Sequence, residues 1–141
     1  MRIHQIISED TRRIKKTEEE QFVDIMRDFL PLAMKHLKIT KLPHLKLEKY
    51  IQDSQQPTFG KFVNTENVIH IGVENRHPLD IMRTLAHELV HFKQGTEHRL
   101  TATSGHTGSP IENEAHEVAG IIMRHFGKRY PHYFTDNPII L

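Results

Sequence analysis

Residues Thr84–Gly95 read TLAHELVHFKQG, and the reading of the whole chain turns on the histidine pair inside them. His87 and His91 are four residues apart, so on a helix both imidazoles project to the same side. Glu88 stands at the edge of that side. Two imidazoles at this spacing can reach one zinc ion at ~2.0–2.1 Å, and Glu88 can stand beside water held by that ion without ligating it. Twelve histidines in 141 residues weaken the motif taken alone. At that frequency a chance H-E-x-x-H arises in roughly one such chain in twenty. The neighbouring residues strengthen it. Ile81, Leu85, Leu89 and Phe92 cover the opposite arc, while Met82, Ala86 and Val90 fill more of the circumference. Such a helix is largely buried, and buried imidazoles with a buried carboxylate are costly without partners. A metal ion supplies them.

Working outward, Pro78 suits the first position of this helix and Gly95 its C-terminal stop. A long loop, TEHRLTATSGHTG, follows. Ser109-Pro110-Ile111-Glu112 then combines a capping box with proline at the first helical position, so another helix opens there. Ile111, Ala115, Val118, Ala119, Ile122 and Phe126 form its apolar face. Upstream, TFGKFV and VIHIGV flank the turn-prone NTEN and read as a hairpin, with Ile69, Ile71 and Val73 on one side. HLKLEKYI alternates through Leu45 and Leu47 as a further strand. An earlier helix begins at Thr17, capped with Glu20, and carries Phe22, Met26, Phe29, Leu30, Ala33 and Leu37 on one face. Pro31 interrupts that face and is expected to kink the helix or end its first half near Leu30. The fold expected is α+β: an N-terminal helix, a small, mostly antiparallel sheet from about Leu45 to Val73, an active-site helix and a ligand-bearing helix. Residues 1–16 read as an arm and 17–141 as a single domain.

Composition narrows the chemistry. The chain has no cysteine, which excludes disulfides, iron–sulfur clusters and thiolate zinc sites, so any metal must be held by histidines and carboxylates. A net charge of +1 offers no general field for nucleic acid. The basic cluster Arg12, Arg13, Lys15 and Lys16 is followed at once by Glu18, Glu19 and Glu20 and reads as a solvated arm. No run approaches a membrane span, and the start lacks a secretory apolar stretch, so a cytoplasmic location is expected.

Catalytic zinc usually takes three protein ligands, and three glutamates compete for the third place. Glu112 already has work in the capping box. Glu117 lies about 100° from Val118 and Glu114 about 40°, beside the core face. Geometry therefore favours Glu114, with Glu117 as a possible orienting partner for a metal histidine.

HELVH followed by Glu114 within ENEAHEVAG resembles the gluzincin group of zinc metallopeptidases, in which a glutamate on a following helix is the third ligand. NEA at Asn113–Ala115 is similar to the thermolysin-type ligand helix, and EAHEVAGIIM resembles the small ImmA/IrrE-like peptidases. Val118 stands where thermolysin-type enzymes carry an aspartate. The likeness spans about residues 68 to 126 and implies a zincin-like core holding one Zn²⁺ on His87, His91 and Glu114. It implies hydrolysis of peptide or protein substrates, with Glu88 as the base that activates the water held by zinc. His106, Tyr130, His132 and Tyr133 are candidates by type for stabilising the developing oxyanion. The opening MRIHQIISED is similar to the starts of small tailed-phage proteins, which would place the chain in the host cytoplasm or the virion. Alternatives are a zinc-stabilised binding module without catalysis, an amidase acting on cell-wall peptides, and an SprT-like protease. In the last, His98 or His106 would replace Glu114 as ligand. No nucleic-acid or membrane partner is expected.

Overall fold

The computed structural model describes residues 18–51, 58–101, 104 and 108–135. The expected cap at Thr17, the N-terminal arm and His106 lie outside them. In chain order the elements are α1 (Glu18–Leu37), β1 (His44–Glu48), β2 (Gly60–Val63), β3 (Val68–Gly72), α2 (Pro78–Thr96), α3 (Pro110–Arg129) and a short α4 (His132–Thr135). The class is α+β, with a three-stranded sheet in the order β1-β3-β2.

The sheet is mixed rather than mostly antiparallel. β2 and β3 form the expected hairpin, Phe62 opposite Ile69 and Val63 opposite Val68, but β1 runs parallel to β3 with Leu45 opposite Ile69. β3 is the most apolar strand, with Ile69 and Ile71 almost fully buried, and the central place suits it. The α2 helix lies across β2 and β3. On the edge strand β1, Leu45 packs against the core but Leu47 stays 46% exposed. The alternation expected of β1 is therefore only half used.

α1 runs unbroken through Pro31, contrary to the expected stop near Leu30. Proline removes one backbone donor, and Pro31 sits on the exposed side, where water can satisfy the carbonyl left free. The helix ends instead at a left-handed Lys38, with Ile39 N–H reaching back to Met34 O in a Schellman arrangement. α2 ends the same way. Its left-handed residue is His98, and Arg99 N–H bonds Gln94 O. Gly95, expected to be the stop, is the close-approach point instead: a Cβ there would lie 2.7 Å from Asn64 Oδ1 and 3.3 Å from Leu100 Cδ1.

One core joins the layers. Phe22, Ile25, Phe29 and Ala33 of α1 meet Ile81, Leu85 and Leu89 of α2 and Ala115, Ala119, Ile122 and Phe126 of α3. Phe126 stacks edge-on against Phe29 at 5.2 Å, and α4 closes this end through the Tyr133 hydroxyl, which donates to Asp28 Oδ2 at 2.6 Å.

Gly60 sets how near β2 comes to α2. A Cβ there would collide with Thr84 Cγ2 and sit 3.1 Å from Glu88 Cγ. Thr84 cannot turn away, because its β-branched side chain is stiff and its hydroxyl bonds Arg76 and Asp80 O. Gly60→Ala is expected to destabilise the domain by ~1–3 kcal/mol, the usual cost of overpacking, read as a lower urea midpoint at unchanged slope. An unchanged midpoint would mean that the two elements have slack between them.

Candidate metal centre

α2 owes its position to its first turn. Pro78 occupies the first helical position, as expected, and the unusual cap is His77, whose Nδ1 accepts from Leu79 N–H at 3.0 Å. Arg76 then locks the helix start to the sheet. Its guanidinium donates to Gly72 O at 2.7 Å and to the Asp80 carboxylate at 3.0 Å. With the apolar arc of α2 facing the core, His87 and His91 face α3, each with its ring partly exposed. Glu88 points under β2 and is 7% exposed.

The carboxylate that meets the two histidines belongs to Glu112. Its Oε1 lies 2.6 Å from His87 Nε2 and its Oε2 lies 3.1 Å from His91 Nε2. One ligand atom from each of His87, His91 and Glu112 can be chosen so that all lie within 4.8 Å of one another, and among the described residues this is the group of three or more that could hold a metal ion. Glu114, the third ligand expected from sequence, faces the C-terminal end of α2 instead. It takes both Arg99 guanidinium nitrogens at 2.9 Å and the Gln94 amide at 3.0 Å. Those hydrogen bonds, Arg99's first, hold its carboxyl below the usual range. The carboxylate that the structure brings to the two histidines is thus that of Glu112, while Glu114 stands outside the group that could hold an ion.

The cap at Ser109 explains how Glu112 is free to do this. Ser109 Oγ accepts from Glu112 N–H at 3.1 Å, so the residue's backbone closes the cap while its side chain reaches across to α2. A capping box would need the carboxylate as well; here the histidines have it. Glu117 is exposed, and the orienting partner of His91 is Gln94, whose Oε1 lies 2.8 Å from His91 Nδ1. His98, the ligand of the alternative three-histidine arrangement, is an exposed capping residue outside the group.

Electrostatics follow from burial. Glu88 is pushed up to about 8, first by burial and then by the Glu112 charge, against a hydrogen bond from Phe62 backbone. His87 is held below its ordinary value, again by burial first, with Glu112 pulling the other way.

A cleft of about 480 Å³ opens beside this group, walled by Thr58–Phe62 on one side and by Arg83, Thr84 and His116 on the other. His116 follows Glu112 by one helical turn, its ring 4.5 Å from that of His87 and its Nε2 3.7 Å from Glu112 Oε1. Of the oxyanion donors proposed from sequence, Tyr130 caps the far end of α3, ~20 Å along the helix from His116 at ~1.5 Å per residue, and His132 and Tyr133 follow it in α4. Besides the histidine pair, the side-chain N–H donors that line the cleft are His116, Arg83 and Lys61. Sequence reasoning passed over all three, and over Gln94.

No protein-family model, curated protein or solved structure gives a significant match to the chain. The site must be read from its own chemistry. No helix among the described residues is long and apolar enough to cross a membrane.

Proposed function

We propose that the chain is a zinc-dependent peptidase with a zincin-like core, its ion held by His87, His91 and Glu112 and its base supplied by Glu88. The observation that carries this reading is the convergence of two imidazole Nε2 atoms and one carboxylate from two packed helices, beside a buried glutamate and an open cleft. The donor set fits the ion: two neutral nitrogens and a carboxylate are a usual catalytic zinc triad, and the cleft leaves a fourth direction open. Zinc bound there would acidify water and polarise a peptide carbonyl.

The chain's own residues supply the rest. Glu88, buried beside the centre, can take a proton at its carboxylate once a cation offsets the charge around it, and return it to the leaving amine. Lys61, Arg83 and His116 can donate N–H bonds to the carbonyl oxygen as its charge grows. Among the described residues β2 pairs on one side only, so a peptide laid along its other edge would be held extended beside the cleft. Retention of Glu88 favours catalysis over a zinc-stabilised binding module, because a structural ion needs no base and normally takes a fourth protein ligand.

Purified protein is expected to retain about one zinc per chain after dialysis. A chelator should lower its melting temperature and stop cleavage of an unstructured protein such as casein, and zinc should restore both. No bound metal together with an unchanged melt would reduce the triad to a proton-sharing ion-pair cluster. Zinc binding without hydrolysis of any peptide would leave the binding module.

A further inference from the structure

Two cations border the cleft from opposite walls. Arg83 stands on α2 one turn before His87, so Arg83, His87 and His91 form one row along the helix. Lys61 comes from β2, where it alternates with Gly60 and Phe62, which face α2. Its long stem therefore starts from the outer side of this edge strand and borders the cleft at the rim. Both cations are exposed, and neither pairs with a carboxylate among the described residues. The carboxylates around them are engaged elsewhere. Asp80 is held by Arg76 at 3.0 Å, and Glu48 lies 3.6 Å from Lys46 and 3.5 Å from His70. Of the carboxylates that line the cleft, Glu88 is buried under β2 and Glu112 lies against the histidine pair. The chain's net charge is only +1, so the positive excess here is local. His116 reaches the centre, its Nε2 3.7 Å from Glu112 Oε1, whereas neither Arg83 nor Lys61 pairs with that carboxylate. His116 is thus the donor placed closest to a reacting carbonyl, and the two cations stand back from it.

We propose that Arg83, with Lys61 on the opposite wall, determines specificity by taking a carboxylate of the substrate close to the cleaved bond, so that the cleft selects acidic peptides. This rests on the peptidase reading above. One helical turn is ~5.4 Å, between one and two residues of an extended chain at ~3.3 Å each. The carboxylate that Arg83 reaches therefore lies within about two residues of the cleaved bond. Arginine offers a planar fork that matches a carboxylate with two parallel bonds, and lysine adds a point charge. A peptide covering the two cations would exclude water and strengthen the contact beyond that of an open surface pair. A basic side chain in the same place would meet like charge from both walls.

The test uses alanine-rich fluorescent peptides carrying a single glutamate, glutamine or lysine at successive positions, with both ends blocked, and a glutamine set with a free C-terminus. Hydrolysis is measured on the zinc-loaded protein, and binding on its Glu88→Gln variant by fluorescence anisotropy. Glutamate peptides are expected to be cut and bound ~10-fold better than glutamine ones, and lysine peptides least well. Added salt should shrink the preference. Arg83→Gln should remove most of it, Lys61→Gln a smaller part, and Arg83→Glu should reverse it in favour of lysine. A preference for the free-ended glutamine set over the blocked one also supports the inference and assigns the carboxylate to the chain terminus. Arg83→Gln slowing every peptide alike, with the glutamate-to-glutamine ratio unchanged, overturns it and leaves Arg83 a carbonyl donor. A parent that cuts all the sets equally well overturns it too, and the peptidase reading then stands. Glutamate peptides bound selectively but cut by no form of the protein support the charge-selective cleft and remove the peptidase reading alone.

Discussion

Glu112→Gln is expected to release the metal, whereas Glu114→Gln is expected to keep it. The Glu112 carboxylate faces both histidines, at 2.6 and 3.1 Å, so an amide there removes the negative ligand and leaves two neutral nitrogens. Zinc affinity should fall by more than the ~10–100-fold that follows loss of an outer partner, and hydrolysis with it. Glu114→Gln can still accept from Gln94 through its amide oxygen and loses only the charge that Arg99 grips at the surface. Its effect on zinc should stay at or below ~10-fold. The cap at Ser109 gives a control within the same variant, because it uses Glu112 N–H and not the side chain. Glu112→Gln should therefore keep the cap, and any difference between the metal-free melts reports the lost carboxylate contacts with His87 and His91. Zinc titrations on the two variants decide the matter. The reverse order of affinities would return Glu114 to the ion and mean that the first turn of α3 sits differently on α2.

The two glutamates show where sequence reasoning stopped. It measured the ligand helix against Val118, which proves to be only partly buried, on the shoulder of the apolar face. The centre of that face is Ala115, Ala119, Ile122 and Phe126. Continued back by one turn at ~100° per residue, it arrives at Glu112, about 20–80° from those residues, whereas Glu114 lies about 80–140° away. The signal was present, but the capping box had already assigned Glu112 elsewhere. That motif constrains a backbone N–H more strongly than a side chain. The histidine pair, Pro78 and the β2–β3 hairpin were legible because each is a local pattern within one element or one turn. The parallel pairing of β1 with β3 was not, because strand order is decided by which strand wants the middle of the sheet. Gly95 was legible as a glycine but not as a contact, since the Asn64 and Leu100 atoms that exclude a Cβ lie elsewhere in the chain.

Gln94 was invisible for a related reason. A glutamine near the end of an amphipathic helix reads as solvated, and only the packing of α3 over it, bringing Ile111 O and Glu114, turns it into a buried amide with partners at both ends. A metal held by His87, His91 and Glu112 would therefore depend on the α2–α3 interface as well as on the motif. Changes that loosen this interface are expected to weaken metal binding without touching a ligand.

Glu88→Gln separates chemistry from metal binding and carries a second, opposite sign in stability. Glutamine keeps the shape of the side chain and can still accept from Phe62 backbone, so zinc should remain bound. The base is gone, and hydrolysis should fall by a factor of ~10²–10⁴. In the metal-free protein the same change should stabilise. The Glu88 carboxyl is pushed from 4.5 up to about 8, by burial first and the Glu112 charge second. Between those values the folded state holds a proton that the unfolded state has released, so the parent loses stability as pH rises through that window. The loss cannot exceed about 5 kcal/mol, at ~1.4 kcal/mol per unit. Glutamine has no proton to lose. Metal-free Glu88→Gln and parent should therefore melt alike near pH 4.5, and the variant should melt increasingly higher toward pH 8. Zinc should narrow the gap by offsetting the negative charge around Glu88. Urea unfolding of both proteins across that range, with and without zinc, measures it. A metal-free gap between variant and parent that does not widen between pH 5 and 8 would mean that Glu88 is already solvated and ionised there, since the opposite contribution of His87 is common to both proteins. It could not then be a buried base.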